Sequence, residues 1–423
     1  MRVKEKGLTM QTMDQHKSFA ESMGHLLKRF CPEDLLKILG EELEQLKAVE
    51  AELTEKAKAK EADLHGEASV IETGHLENII TECSRGLAKR PFLELLLDLG
   101  SLCLKYGEFT TAKSVYKRII ETAGSDAKLS TLSGKAYAKR AEIRLRQAHW
   151  TAAVNDLKKA ATLFKKAKDA EGLAMVENSF GVYATEQGDM KKAASHFKKA
   201  QTGFEKAGNS ERANTALMNL GILASIAGRW EEGLAYYQRI LPQFEKLGQV
   251  SRLVEVHHNI GMLFLAKGDA KAAINQFDES LNHASLLHYR AFIGMGFLGK
   301  AAAYARLTDF PLAMVFVQRA LGIFRQLSDH LSIADAYKVK GIIHRELDRP
   351  QLAELYFRTS LRLNEEYNNP LNLGETYLEL GRLYVRTKEP AKAAQALKRA
   401  SSYFKRLGAL HEAKSAQTLM ANA

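Results

Sequence analysis

The side chains best suited to chemistry in this 423-residue sequence are three cysteines, an adjacent histidine pair and many carboxylates. Their spacing argues against catalysis. On a helix His257 and His258 would point about 100° apart, so they cannot grip one metal ion as histidines four residues apart do. Cys31, Cys83 and Cys103 share no metal-ligand spacing and fall in helical patterns, which reads as buried free thiols of a reducing compartment. The carboxylates sit in regular helical stretches, where they read as surface ion pairs. A Gly-rich phosphate loop, a G-x-S-x-G elbow and an H-E-x-x-H helix are missing from the sequence. The expectation is a protein without catalytic residues, metal or cofactor.

What the sequence has instead is a period. The stretch Ala213–Leu247 reads as a helix ending in Asn219-Leu220-Gly221, a break at Gly228, and a second helix carrying Gly233, Tyr237 and Ile240. A small marker residue before the break recurs as Gly100, Ala141, Gly181, Gly221, Gly261, Ala301, Gly341 and Gly381, first after 41 residues and then every 40. Twelve residues after each marker stands Ala112, Ala153, Ala193, Gly233, Ala273, Ala313, Ala353 or Ala393, and four further on a large apolar residue from Tyr116 to Leu397. Chance does not keep three positions in step over eight units. The small residues let two antiparallel helices approach, and the large one fills the space beside the crossing. Each hairpin leaves an apolar face that only the next hairpin can cover.

This pattern resembles the tetratricopeptide (TPR) repeat over roughly residues 91–423. The usual unit is about 34 residues. The longer unit here is similar to those of the spindle-orientation adaptors (Pins/LGN) and of the Rap-type bacterial peptide receptors. The resemblance implies an all-α fold, a right-handed superhelical α-solenoid of about eight helix-turn-helix units behind an N-terminal helical module. It also implies that residues two, three and six positions before each marker, and the one after it, face a concave groove. In the middle units these are Asn178, Ser179, Asn219, His258 and Asn259, flanked by Val182, Ile222 and Met262. A row of amides beside an aliphatic strip suits a peptide or helical segment of another protein, the amides satisfying backbone groups while the strip buries side chains. Lys135 and Lys139, with Arg146 a turn on, make the early groove basic and suited to acidic residues of a partner. Met295, Leu298 and Ala302 are apolar, and Asp335, Glu375 and Glu379 make the late groove acidic, which would set the direction of a bound chain.

Length alone would allow two or three globular domains, but a solenoid extends one core unit by unit. The domain map expected is a disordered leader at 1–13, a helical module at 14–90, eight repeats at 91–408 and a capping helix at 409–423. Within the module, Asp14–Phe30 and a segment opened by Pro32 read as helices, His65–Gly74 as a loop and Leu76–Ala88 as a third helix. Pro311, Pro350 and Pro390 fall where second helices start, and Pro242 falls inside one, where it should kink or shorten it. The net charge of +11 is concentrated between Lys105 and Lys206, with 20 Lys and Arg against 11 Asp and Glu. That field favours an acidic partner; nucleic acid is the less favoured occupant, because the unit length does not match a one-base-per-repeat reader. No run approaches eighteen apolar residues and the start lacks a signal-peptide core, so no membrane span is expected and the cytoplasm is the expected location. The function expected is a non-catalytic scaffold or adaptor. The alternative is a Rap-like regulator whose N-terminal helices bind an effector in response to peptide.

Overall fold

The computed structural model describes residues 18–60 and 73–421; the leader at 1–13 and residues 65–72 of the expected loop lie outside the described residues. An N-terminal module holds α1 (Phe19–Phe30), α2 (Glu33–Lys60) and α3 (Thr73–Gly86). Eight pairs follow. Their first helices are α4 (Lys89–Lys105), α6 (Ser130–Arg146), α8 (Ala170–Glu186), α10 (Ser210–Ile226), α12 (Val250–Lys267), α14 (Arg290–Arg306), α16 (His330–Glu346) and α18 (Pro370–Arg386). The second helices are α5 (Phe109–Ala123), α7 (Trp150–Ala167), α9 (Met190–Lys206), α11 (Trp230–Lys246), α13 (Ala270–Leu286), α15 (Phe310–Gln326), α17 (Pro350–Glu366) and α19 (Pro390–Leu407), and α20 (Leu410–Ala421) closes the chain.

The sequence predicts α1 from Asp14, whereas its described helix starts at Phe19, because a capping box forms there. The Ser18 hydroxyl accepts from the Glu21 N–H and the Glu21 carboxylate accepts from the Ser18 N–H. Glu50 on α2 accepts from the next two N–H groups, those of Phe19 and Ala20, at 2.8 and 2.9 Å, which locks the α1–α2 hairpin. Thr73 and Gly74, expected in the loop, are the first residues of α3. The module is fused to the solenoid: Phe19, Met23 and Leu27 share one buried cluster with Leu93, Leu96 and Tyr116 of the first pair.

Regularity comes from the turns. At Ala207-Gly208-Asn209, Ala207 closes α9, Gly208 takes a positive φ of 72°, and the Asn209 side chain accepts from the Arg212 N–H to cap α10. A left-handed residue recurs every 20 positions from Ala148 to Gly408, so turns within and between pairs are built alike. The first unit is one residue longer because its outgoing link contains a 3-10 turn at Ala127–Leu129. Pro311, Pro350 and Pro390 occupy the first two positions of α15, α17 and α19, where the missing N–H costs nothing. Pro242 does not shorten α11, which runs 17 residues like the second helices α9 and α13. Pro242 and Gln238, whose carbonyl loses its partner, are both exposed, so the orphaned acceptor is open to solvent.

Within each pair, marker and large residue form one device. At Gly181 an added Cβ would lie 2.4 Å from the Phe197 ring, at Gly341 2.5 Å from Phe357 and at Gly100 2.5 Å from Tyr116. The ring stands where a methyl group would be. Where the marker is Ala, at Ala141 and Ala301, the partner positions hold the smaller Leu157 and Val317, all fully buried.

The pairs wind past one full turn and the successive turns touch. The Trp150 indole N–H donates to the Tyr367 carbonyl at 2.6 Å, 217 residues away, and the Asn368 amide donates to Gln187 across 181 residues. Gly188 sits against Leu407 and Pro370, Gly107 against Leu327, and the Trp230 ring meets His411 edge-on at 5.4 Å. About five 40-residue units therefore complete a turn. The resulting seam joins the turns inside the first four pairs to the links between later pairs.

Candidate functional site

The first helices face inwards and, because the seam closes the superhelix, they enclose a channel rather than an open groove. Its volume is about 1740 Å³, and its wall runs from Ser101 on α4 to Arg382 on α18, with His411 and Glu412 of α20 at one end. α20 thus covers the last pair, burying Ala413 and Ala416, and also lines the channel.

Nine of the ten residues read from the sequence line this channel: Lys139, Asn178, Ser179, Val182, Asn219, Ile222, His258, Asn259 and Met262. Lys135 does not. It is exposed beyond the wall, where its charge acts on Asp98 of α4. The amides are partly spent on one another, since Asn219 donates to the Asn178 carbonyl oxygen at 2.9 Å. Asn259, one unit on and half-buried, has no hydrogen-bond partner among the described residues. Met262 is 47% exposed and Ile222 and Val182 continue its apolar strip. His258 is wall rather than polar contact: it is buried, its ring packs against Phe277 and Phe292, and burial lowers its pKa to about 4.

The expected passage from basic to acidic along the groove is largely cancelled locally. Lys139 pairs with Glu142 at 2.8 Å. At the other end Lys338 holds Asp335 and Glu375, and Glu379 lies between Arg345 and Arg382. The wall as a whole carries nine Lys and Arg against ten Asp and Glu. The positive excess of the early units therefore lies elsewhere.

Of a ring of charges one helical turn further on, the sequence reading named only Arg146 and missed the other members. Arg146, Glu186, Arg306 and Glu346 each stand five residues after a marker and line the channel. Residues one and five after a marker share a helix face, so the inward reading of Val182 already implied Glu186. Burial and the facing carboxylates of Asp335 and Asp329 push the Glu186 carboxyl up to about 7. The Arg146 guanidinium forms no ion pair among the described residues; desolvation inside the channel opposes its charge, but Tyr289, Asp329 and Glu255 around it outweigh that and raise its pKa.

No helix among the described residues is long and apolar enough to cross a membrane. No curated protein matches the sequence significantly. A family model described as tetratricopeptide repeat matches residues 212–285 and 295–366. Among solved structures, a Rap protein complexed with competence and sporulation factor aligns at 14% identity with TM-score 0.53, covering 78% of this chain and 97% of that one. The Rap conjugation gene regulator of the plasmid pLS20, in complex with the Phr* peptide, aligns at 16% identity with TM-score 0.57, covering 76% and 98%. NprR in complex with its cognate peptide NprX aligns at 13% identity with TM-score 0.53, covering 78% and 97%. At such identities the likeness is one of fold. Repeat pattern, family model and architecture agree: the chain carries tetratricopeptide repeats, matched by the family model over residues 212–285 and 295–366, within a helical solenoid of the long, 40-residue-unit kind.

Proposed function

We propose that this protein is a non-catalytic interaction scaffold that holds an extended or helical segment of a partner protein inside the channel. The observation that carries the reading is the half-buried, unpartnered Asn259 carboxamide beside the strip Val182–Ile222–Met262. A polar group so placed gains by meeting a ligand's backbone amide, and the strip gives its side chains somewhere dry to go. Asn219 would join it by releasing Asn178. Arg146, free in a confined space, suits an acidic side chain of the same segment.

A second reading is a peptide-responsive regulator. It draws on α1–α3 being packed against the first pair, where a change in the superhelix would be felt, and on two structural neighbours solved with peptides. Compaction in solution scattering when peptide binds would favour it over a static adaptor.

The test is selection of displayed peptides on the immobilised protein, then titration of the best binder against wild type and Asn219→Ala/Asn259→Ala. Losing hydrogen bonds worth about 1 kcal/mol each predicts at least roughly tenfold weaker binding at unchanged helicity. Equal affinity for the double variant would move the ligand out of this part of the channel.

A further inference from the structure

With the channel wall close to charge balance, the question is where the chain's positive excess goes. Helices α7 and α9 carry nine lysines and two carboxylates, and one of the two, Asp156, is buried between Arg140 and Arg144. The lysines Lys158, Lys159, Lys165 and Lys166 on α7 are exposed, as are Lys191, Lys192, Lys198, Lys199 and Lys206 on α9. None of them lines the channel; they stand on its outer, convex wall. Lys117/Arg118, Lys158/Lys159 and Lys198/Lys199 hold the same register in three successive second helices, directly after the large buried residue, so they form a basic row across the wall. Further along, α11 and α13 lose the excess, with Glu231, Glu232 and Glu245 on one and Asp278 and Glu279 on the other.

The seam extends this face in a way the sequence conceals. Gly188, just before α9, is seated against Leu407 at the end of α19, and Met190 packs on the core of α18 and α19. α19 carries five Lys and Arg and no carboxylate, among them exposed Lys398, Lys405 and Arg406. The basic last turn of α19 thus meets the basic first turn of α9, although some 200 residues separate them. End to end the two helices span about 50 Å at 1.5 Å per residue. Among the described residues the ion pairs on these outer faces are few: Lys117 with Glu121, Arg118 with Glu77, Lys192 with Asp189 and Lys392 with Glu389.

We propose that this convex wall, centred on α9 and α19, docks the protein peripherally on an anionic lipid surface. A convex wall meets a plane along a line, and the line here is the one where the lysines of α9 and α19 run on. The residues are chiefly lysines, flexible point charges suited to a diffuse array of headgroups rather than to planar, bidentate pairing with a carboxylate. No large apolar or aromatic side chain is exposed on α7, α9 or α19, so there is no platform for unpaired bases to stack on and no wedge to enter the hydrocarbon. Nor does a wall of packed parallel helices offer an element that enters a duplex groove. What remains is attraction to a charged surface, which is screened within about 8 Å at physiological salt. The proposal is independent of the channel ligand, since the two surfaces share no residue.

The experiment is co-sedimentation of the full chain with neutral phosphatidylcholine vesicles and with vesicles in which about three lipids in ten are phosphatidylserine. Two charge-reversed proteins accompany wild type: Lys198→Glu/Lys199→Glu/Lys398→Glu/Lys405→Glu on the wall, and Arg239→Glu/Lys246→Glu/Lys271→Glu/Arg319→Glu on α11, α13 and α15. Both change net charge equally, and circular dichroism reports that each is folded. Each lysine near such a surface is worth roughly fivefold in partitioning, so the wall variant is expected to lose more than tenfold and the other variant far less. Binding should fade when salt is raised severalfold. Equal loss in both variants, equal binding to neutral vesicles, or binding to duplex DNA in the absence of vesicle binding would each overturn the proposal.

Discussion

His258 shows how one side chain can line a channel and still belong to the core. Its ring lies 5.6 Å from Phe277 and 5.7 Å from Phe292, and its Nδ1 has no hydrogen-bond partner among the described residues. Burial therefore disfavours the imidazolium and brings the pKa from 6.5 to about 4. A folded-state pKa below the unfolded one means that the unfolded chain binds the proton first. The stability contribution is complete above pH 6.5 and is lost as pH falls towards 4. Between pH 7 and pH 5 the loss amounts to about 2 kcal/mol. His258→Leu should remove that slope, as read by hydrogen exchange of the α12 amides at the two pH values; an unchanged slope would mean the proton is taken up elsewhere. Sequence placed His258 on the inner face and it lines the channel, but the spacing rule cannot tell a ring that reaches the channel from one turned under Phe292. That depends on the neighbouring pair. The same holds for Asn219, whose bond to Asn178 depends on the angle between units.

At the scale of the helix pair, the sequence was nearly sufficient, because the period records a physical fit. Aromatic rings at Tyr116, Phe197, Tyr237, Phe277 and Phe357 face glycine markers, and the aliphatic residues Leu157 and Val317 face alanines, with Gly381 opposite Leu397 the exception. The coupling yields opposite expectations for two helical glycines. At Gly341 a methyl group would fall 2.5 Å from the Phe357 ring, and overpacking of about 1–3 kcal/mol outweighs the helix-propensity gain of about 1 kcal/mol. Gly341→Ala should destabilise. Gly322 on α15 is exposed with nothing within 4 Å of its added Cβ, so Gly322→Ala should stabilise by about 1 kcal/mol. Paired urea melts decide it: the same sign for both variants would mean that backbone propensity, not the ring, sets the marker. Turn chemistry was less legible. Lys168, His288, Thr308, Asp348 and Lys388 take the left-handed conformation that elsewhere needs glycine, because the two helices they join are already placed by packing.

The whole molecule holds what no single unit shows. Residues that open the second helices are Phe109, Trp150, Met190 and Trp230 in the first four pairs, but Ala270, Phe310, Pro350 and Pro390 in the last four. The early set meets the later links across the seam; the late set faces no later turn among the described residues. That asymmetry was in the sequence, yet it gains meaning only once five units are known to complete a turn. Among the described residues the seam contacts include an indole hydrogen bond, an amide pair, ring contacts at Tyr106–His288 and Trp230–His411, and patches at Gly107 and Gly188, and no helix pair across the seam packs as extensively as neighbouring helices do. Each unit interface, by contrast, is a continuous apolar layer. The seam is therefore the weakest joint and should open at lower free energy than any pair unfolds. An enclosed channel needs such a joint, since a long partner segment can be laid in sideways only through it. Trp150→Ala/Trp230→Ala removes both indoles and leaves every intra-pair crossing intact. It should raise the radius of gyration in solution scattering at unchanged helicity, and speed association of a channel ligand. An unaltered radius would mean that the packing angle between units, and not the seam, holds the superhelix shut.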